Sequence, residues 1–450
     1  MITQQKGAIM SHSRATVGIY TLGCKVNQYE SEAIAEGLAS RGFSVAPFSQ
    51  ICNAYIINTC TVTAESDRKA RQLIRRAIKN NPAAYVLVTG CMAEVFSDKL
   101  AKIEGIDYIC GNGQKLQVID ALEDLLARGC KNTEPKIAIA PLDSFEEMNI
   151  TKFDRTRAYI KIEDGCENRC TYCIIPEARG KVRSKSPEDV LSEVRALTEG
   201  GCREVVLTGI ETASYGRDFD NGYRLADLLE EVDKIPNIGR VRLGSLDPSL
   251  MKQDFVDRIA KLKSLTPHFH LSMQSGSDKI LALMKRKYNR RMALEGMERL
   301  RAAMPGVQFT TDMIVGFPGE TEEDFALTVD FAKKAKFLMI HVFPYSERRG
   351  TVAATLPGRV PEEIRHQRVR ELSAIQAEIQ KEILDSYTGV AVDVLFETYS
   401  EGVMTGHTAT FVEVACPVSQ SLQSQTRTVY ITGNDTQKCF GTLCPHQQMH

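Results

Sequence analysis

The sequence lacks the features that would place it in a membrane or secreted class. No apolar run approaches the ~20 residues that a membrane-spanning helix requires. The first fifteen residues are polar and contain no apolar core of the kind found in a secretory signal. Tryptophan is absent as well. We therefore expect a cytoplasmic protein with no membrane anchor.

An excess of charge of one sign is also missing. The formal net charge is -1 over 450 residues, which excludes nucleic-acid binding through bulk charge and requires any basic footprint to be local. The chain is 43% hydrophobic and 25% charged, an ordinary globular composition. Its length is typical of about three domains.

Cysteine, by contrast, is abundant. The chain has 13 cysteines, an odd number, and shows no sign of secretion. In a reducing compartment, clustered thiols are metal ligands more often than disulfides.

The most informative stretch is 165–179, GCENRCTYCIIPEAR, in which Cys166, Cys170 and Cys173 have C-x3-C-x2-C spacing. Four thiolates would complete a tetrahedral zinc site. Three thiolates favour an iron–sulfur cluster with one iron open to a small molecule. A zinc knuckle and a redox-active thiol pair are the alternatives. Tyr172 would present an aromatic face beside the cluster.

Before this stretch, the sequence alternates between strand and helix patterns, which predicts a parallel sheet. We expect strands over 16–22, 54–58, 85–89 and 107–110. Cys24, Cys60 and Cys91 follow the first three strands, at the edge where such sheets bind ligands. A shared metal site and three ordinary buried thiols are both open readings. Cys110 also ends a strand and is the rival ligand.

After the acidic linker 141–154, about six strand–helix units follow, which predicts a partial rather than a closed eight-stranded barrel. The cysteine stretch follows the first of these strands, at the face where such barrels carry chemistry. Glycine-rich loops follow the later strands and permit close approach of a ligand. Gln274 and Asp312 at this face are candidates for hydrogen bonds to a bound nucleoside or amino acid.

Past a long charged helix at 361–386, short strand patterns at 390–396, 408–414 and 427–432 predict a small β-barrel. From Asp385 onward this region has six acidic and two basic residues, which disfavours contact with phosphates. Two basic runs offer better contacts. These are 68–79 and 284–291, the second of which includes Tyr288 as a possible stacking partner for a base. Exposed helix surface is the alternative for both runs.

The three-cysteine stretch resembles the cluster motif of the radical S-adenosylmethionine (SAM) enzymes. The motifs TLGCKVNQYE, NTCTVTAESDRKAR and GCMAE resemble the amino-terminal domain of one subfamily, the methylthiotransferases. The resemblance covers nearly the whole chain. It implies an α/β protein with three domains: a parallel-sheet domain at 14–140, a radical SAM core forming a partial (βα)6 barrel at 151–384, and an RNA-binding TRAM barrel at 385–448.

The resemblance also implies the cofactors. One [4Fe–4S] cluster would be held by Cys166, Cys170 and Cys173, with SAM on its open iron near Tyr172 and Gln274. A second [4Fe–4S] cluster would be held by Cys24, Cys60 and Cys91, and Cys110 is not among the family's ligands. SAM would serve both as methyl donor and as source of a 5′-deoxyadenosyl radical.

Within the family, the chain resembles the enzymes that add a methylthio group to C2 of N6-threonylcarbamoyladenosine in tRNA, beside the anticodon. The partners implied are tRNA and an external electron donor, flavodoxin- or ferredoxin-like. Methylthiolation of isopentenyladenosine in tRNA or of a ribosomal-protein aspartate, and a non-enzymatic iron–sulfur RNA-binding module, are the alternatives. Glu211 and Thr212 depart from the family's pattern in the loop after the second barrel strand.

Overall fold

The computed structural model describes residues 15–153 and 156–444. The polar segment before Ala15, linker residue Asp154 and the outermost residues of the predicted domains 14–140 and 385–448 lie outside this range. The contacts within the chain define two compact units. One comprises Met1–Ile150 with Glu177–Arg179, and the other comprises Thr151–Pro176 with Gly180–His450. The boundaries of three domains stay a prediction.

The first unit is built on a six-stranded, all-parallel sheet in the order β2-β1-β3-β4-β5-β6. Its strands are β1 (Thr16–Thr21), β2 (Ser44–Ala46), β3 (Ala54–Thr59), β4 (Tyr85–Gly90), β5 (Tyr108–Cys110) and β6 (Lys136–Ala138). Its helices are α1 (Lys25–Ser40), α2 (Ala64–Asn80), α3 (Cys91–Ala101) and α4 (Gln117–Arg128). The predicted strand–helix alternation is confirmed.

The two central strands explain why helices cover both faces of this sheet. Every residue of β3 and β4 is buried, and successive side chains alternate between two cores. Ile57 and Val88 pack in the core that α2 and α3 cover, and Ile56 and Leu87 pack in the core that α1 and α4 cover. This doubly covered sheet brings the loops that follow its strands to one edge.

The second unit contains an open barrel of parallel strands. The first part runs β11-β10-β7 and the second β12-β13-β14-β15. In the part of the chain that is described, β15 pairs only with β14, so the barrel is partial, as predicted. The barrel strands are β7 (Arg157–Lys161), β10 (Glu204–Thr208), β11 (Arg240–Leu243), β12 (Ser245–Leu246), β13 (His268–Gln274), β14 (Gln308–Val315) and β15 (Met339–Pro344). The short strands β8 (Glu163–Asp164) and β9 (Arg183–Ser184) form a separate antiparallel pair.

Helices connect these strands along the chain. They are α6 (Pro187–Glu199), α7 (Leu225–Val232), α8 (Gln253–Ile259), α9 (Asp278–Leu283), α10 (Arg290–Ala303) and α11 (Glu322–Ala335). The short helix α5 (Ile175–Arg179) begins in this unit, and its last three residues belong to the first unit. Strong local signals fix several of their ends. Ser186 caps α6 ahead of Pro187, and Thr321 with Asp324 forms a capping box at α11.

The long helix α12 (Glu362–Asp385) leads into a closed five-stranded barrel in the order β16-β17-β18-β20-β19. Its strands are β16 (Ala391–Ser400), β17 (Val403–Thr408), β18 (Glu413–Pro417), β19 (Thr426–Asn434) and β20 (Cys439–Leu443). The small β-barrel is confirmed. The strand predicted over 408–414 is wrong, because β17 ends and β18 begins there around Phe411, whose φ is 72°.

The misassigned residue anchors the small barrel to the rest of its unit. The Phe411 ring stacks between His268, at 4.5 Å, and His407, at 4.8 Å. One acidic residue of the barrel, Glu397, pairs with Arg157 of β7 at 2.5 Å. Part of the barrel's acidity therefore serves packing within the unit. Across the described residues, no helix is long and apolar enough to span a bilayer.

Candidate metal centres

Three cysteines of the first unit lie at the edge where the central strands end. Cys24 precedes α1 as its N-cap residue, Cys60 follows β3, and Cys91 opens α3 directly after β4. Two of them thus lie at helix amino-termini, where the helix dipole favours a thiolate. Gly23 has a φ of +97°, and a Cβ there would lie 2.8 Å from the Cys60 sulfur, so this close passage requires glycine.

The pKa shifts of these thiols indicate that the three cysteines lie near one another. Burial, then Cys91 and Cys24, raise the pKa of Cys60 to about 12. Burial raises the pKa of Cys24, with Cys91 adding to the effect and Arg179 opposing it. Cys24 still keeps exposed surface. Of the three thiols, Cys24 is thus the one open to solvent, and Cys60 and Cys91 are buried.

The rival ligand Cys110 has different neighbours. Burial raises its pKa to about 12, and the groups that shift it most are Thr89, Lys115, Glu146 and Glu94 rather than the three cysteines. Its side chain belongs to the core covered by α1 and α4. Cys110 is therefore placed as a core residue.

The donor chemistry of the three thiols is that of an iron–sulfur cluster. Over the residues that the structure describes, no three His, Cys, Asp or Glu side chains are grouped so that they could share one metal ion. A four-iron cluster spreads its ligands more widely, and soft thiolates are the ligands it takes. With all thirteen cysteines free, none is withdrawn into a disulfide.

The second cysteine set lies in the second unit, on the loop between β8 and α5. Backbone hydrogen bonds hold this loop. Cys166 N donates to Gly180 O at 3.0 Å, and Cys173 N donates to Cys170 O at 3.1 Å. Thr171 fastens its middle, since its hydroxyl donates to Leu283 O at 2.9 Å. The local spacing that predicted convergence is thus supported by contacts from α9.

Electrostatic coupling again links the three thiols. Burial raises the pKa of Cys166 to about 12, the Asn168 backbone opposes it, and Glu211, Cys173 and Cys170 add to it. The loop therefore brings the three sulfurs into one electrostatic environment, which fits a cluster with three protein ligands and one open iron.

A buried arginine contacts this set, and it comes from the run predicted to bind RNA. The Arg286 side chain is 6% exposed and donates to Cys170 Sγ at 3.0 Å. Tyr288 is buried, with its hydroxyl 2.9 Å from Met273 O. The hypothesis that Tyr288 stacks on a base and that Arg286 grips phosphate is therefore wrong, because tertiary packing turns both side chains inward.

Acidic groups surround the same loop. Glu211 Oε2 accepts from Asn168 Nδ2 at 2.9 Å, and Glu163 Oε2 accepts from Glu211 N at 2.7 Å. The other Glu163 oxygen is buried without a hydrogen-bond partner. Burial, with Asp247 adding, raises the pKa of Glu211 to about 7. Burial also raises the pKa of Glu163. A bound cation would restore the charge of both carboxyls, so the orphaned Glu163 oxygen beside Glu211 fits the ammonium group of an amino acid such as SAM.

The two predicted SAM contacts have different environments. Tyr172 is half-buried and packs edge-on to Phe317, with ring centroids 6.5 Å apart. Gln274 ends β13 at a register shift and has a φ of 65°, a conformation that is costly for this residue and is often found at functional sites. Both roles stay predictions.

Residues that sequence reasoning missed line the accessible face of the open barrel. The His270 ring lies 3.4 Å from an Asp312 carboxylate oxygen and 6.2 Å, centroid to centroid, from His341. In β13, half-buried His270, Ser272 and Gln274 alternate with buried residues. This alternation can be read from the sequence as a strand pattern, but it does not show which face of the strand is accessible.

Comparisons with known proteins agree with this architecture. Residues 160–332 match the radical SAM superfamily model, and residues 16–111 match the family described as uncharacterized protein family UPF0004. One similar solved structure is the radical SAM methyltransferase TsrM from Kitasatospora setae, with cobalamin and a [4Fe–4S] cluster bound. The superposition covers 88% of this chain and 81% of the TsrM chain. The TM-score is 0.55 at 15% identity, which shows a shared fold.

Curated relatives are more similar. The threonylcarbamoyladenosine tRNA methylthiotransferase MtaB of Bacillus subtilis is 39% identical over 89% of this chain and 90% of the relative. The protein of the same name from Aquifex aeolicus is 38% identical over 83% and 90%. A tRNA-2-methylthio-N(6)-dimethylallyladenosine synthase from Moorella thermoacetica is 34% identical over 95% and 98%. The chain therefore belongs to the radical SAM methylthiotransferases, in the family of the MtaB proteins.

Proposed function

We propose that this enzyme replaces the C2 hydrogen of N6-threonylcarbamoyladenosine in tRNA with a methylthio group. The observation that carries the proposal is the presence of two separate sets of three cysteines, one in each unit, whose thiols affect one another's pKa values within each set. The MtaB relatives support the substrate, because the two described above are 38–39% identical, whereas the dimethylallyladenosine synthases are 34–36% identical.

In the second unit, Cys166, Cys170 and Cys173 hold the first [4Fe–4S] cluster. When bound, this cluster and SAM supply the 5′-deoxyadenosyl radical that activates C2. Glu163 and Glu211 bind the ammonium group of SAM, for which their carboxylates are suited. Tyr172 and Gln274 are its further contacts, and the open face with His270 and Asp312 receives the adenine.

In the first unit, Cys24, Cys60 and Cys91 hold the second [4Fe–4S] cluster, which carries the sulfur to be methylated. Cys60 and Cys91 are buried and Cys24 is exposed, so the protein shields two of the three ligands from water. The raised pKa values of Cys24 and Cys60 mean that assembly of the cluster releases protons, since only thiolates bind iron.

The tRNA backbone binds to the first unit through α2. Arg75, Lys79 and Lys102 line an open cleft of about 370 Å³, and all three are exposed. Phosphate contacts from lysine and arginine dominate nucleic-acid affinity. This basic cleft suits that role better than the acidic small barrel does.

The reaction requires an electron from outside the chain, and we assign this role to a flavodoxin- or ferredoxin-like donor. Thirteen free cysteines and a tRNA substrate are consistent with a cytoplasmic enzyme.

The decisive experiment is mass spectrometry of tRNA nucleosides from cells that lack the protein. Loss of 2-methylthio-N6-threonylcarbamoyladenosine, restored by the wild-type gene but not by Cys170→Ala, is expected. Loss of the methylthiolated dimethylallyl nucleoside instead would reassign the substrate. An unchanged nucleoside profile with an altered ribosomal protein would contradict a tRNA substrate.

In vitro, substitutions in the two cysteine sets should abolish different activities. Cys170→Ala should abolish reductive SAM cleavage and remove about half of the iron, because one of two equal clusters is lost. Cys60→Ala should keep SAM cleavage and lose methylthio transfer, and Cys110→Ala serves as the matched control with both activities intact. The opposite behaviour of Cys60→Ala and Cys110→Ala would refute the assignment of the second cluster.

A further inference from the structure

The rim of the first unit includes a charged side chain that the proposed chemistry does not use. Arg179 is fully buried and belongs to the first unit, although it ends the stretch that carries Cys166, Cys170 and Cys173. Its guanidinium donates to Glu30 Oε1 at 2.6 Å, to Asn27 Oδ1 at 2.5 Å, and through Nε to Cys91 Sγ at 3.3 Å.

Burial of such a cation is costly, so its partners indicate what it is for. Glu30 is fully buried and also pairs with the fully buried Lys115. One carboxylate is thus shared by two cations. The guanidinium of Arg179 also lies against the sulfur of Cys91, at 3.3 Å.

The contact with sulfur distinguishes Arg179 from a purely structural arginine. A neutral thiol is a weak hydrogen-bond acceptor, and a guanidinium nitrogen aimed at one gains little. A thiolate bound to iron carries negative charge and accepts a charge-assisted bond. Asn27 and Glu30 hold the guanidinium plane so that Nε faces Cys91.

We propose that Arg179 is a positioning residue for the second cluster, and that it stabilises the reduced state by a hydrogen bond to the Cys91 ligand. This inference rests on the proposed binding of a cluster by Cys24, Cys60 and Cys91. Hydrogen bonds to ligand sulfurs and nearby positive charge favour the more negative, reduced form of such clusters. Arg179 therefore raises the reduction potential of this cluster.

The test uses the full-length chain with Cys166, Cys170 and Cys173 changed to Ala, so that only the second cluster contributes to the spectra. The potential is measured by redox titration followed by electron paramagnetic resonance. Adding Arg179→Met should lower the reduced-to-oxidised ratio at a fixed potential by about tenfold, which corresponds to about 59 mV for one electron. Arg179→Lys keeps the charge and should show a smaller shift in the same direction.

A matched control is Arg368→Met. Arg368 is a buried arginine paired with Glu320 at 2.8 Å, and its substitution should leave the potential unchanged. Absence of iron in the parent triple variant would refute the second cluster itself. Intact iron with an unchanged potential in Arg179→Met would overturn only the role of Arg179, and so would an equal shift in Arg368→Met. If Arg179→Met does not fold, an unchanged potential in Arg179→Lys overturns the proposal.

Discussion

Arg286 gives the sharpest test of whether the run at 284–291 serves RNA or the cluster loop. Besides Cys170, its guanidinium contacts Asp247 Oδ2 at 3.1 Å and Ser272 O at 3.1 Å. The side chains of Arg286 and Asp247 are each 6% exposed. Arg286→Met would leave Asp247 buried without its cation.

Breaking a buried ion pair by removing one partner costs roughly 3–5 kcal/mol. For a unit of this size, that corresponds to a fall of order 10 °C in its unfolding transition. Lys287 is exposed, and among the described residues no buried carboxylate pairs with it. Lys287→Met should therefore change the free energy of unfolding by no more than about 0.5 kcal/mol. The double variant Arg286→Met with Asp247→Asn should recover part of the stability, because the stranded charge is also removed.

The assay is thermal unfolding of the anaerobically reconstituted enzyme, with reductive SAM cleavage and tRNA binding measured on the same preparations. We expect Arg286→Met to lose SAM cleavage. The double variant should regain stability without regaining cleavage, since the Cys170 contact is still missing. An unshifted transition with normal SAM cleavage, combined with weaker tRNA binding, would refute the interior role and restore the RNA hypothesis.

Two further predictions follow from the described contacts. Because burial raises the pKa of Glu211 to about 7, its ionisation destabilises the fold as the pH rises from about 4.5 to 7. Glu211→Gln should therefore stabilise the SAM-free protein at pH 8 by up to about 3 kcal/mol and have little effect at pH 4.5. Equal stabilisation at both pH values in denaturant titrations would contradict this. Lys79→Glu with Lys102→Glu should weaken tRNA binding and flatten its salt dependence by roughly 0.9 per lost duplex phosphate contact. The charge-matched pair Lys333→Glu with Lys336→Glu should not, and equal losses in both pairs would contradict a local basic cleft.

Local patterns predicted the regular elements well where their signals were strong. The strands predicted over 54–58 and 85–89 are Ala54–Thr59 and Tyr85–Gly90, because a fully buried apolar run marks its own ends. Short edge strands such as Ser44–Ala46, whose residues are largely exposed, carry no such pattern and were missed. Around Phe411 an apolar stretch suggested one strand, and its ring instead packs between His268 and His407.

The six cysteines could be found from sequence for two different reasons. Cys166, Cys170 and Cys173 converge because their spacing is short, so the chain itself keeps them together. Cys24, Cys60 and Cys91 are scattered, but each follows a parallel strand, and strand ends of a parallel sheet share one edge. The resemblance to methylthiotransferases then excluded Cys110, and its position in the hydrophobic core agrees.

The sequence by itself determined the class of the protein, because cysteine spacing, strand–helix alternation and turn residues act over short distances. Only the tertiary structure decided what the long charged side chains do. Arg286 was read as an RNA contact and lies against Cys170, and Arg179 was unremarked and lies against Cys91. The reason is physical. A guanidinium sits at the end of a flexible side chain, and its direction is set by partners distant in sequence, Asp247 for one and Glu30 for the other.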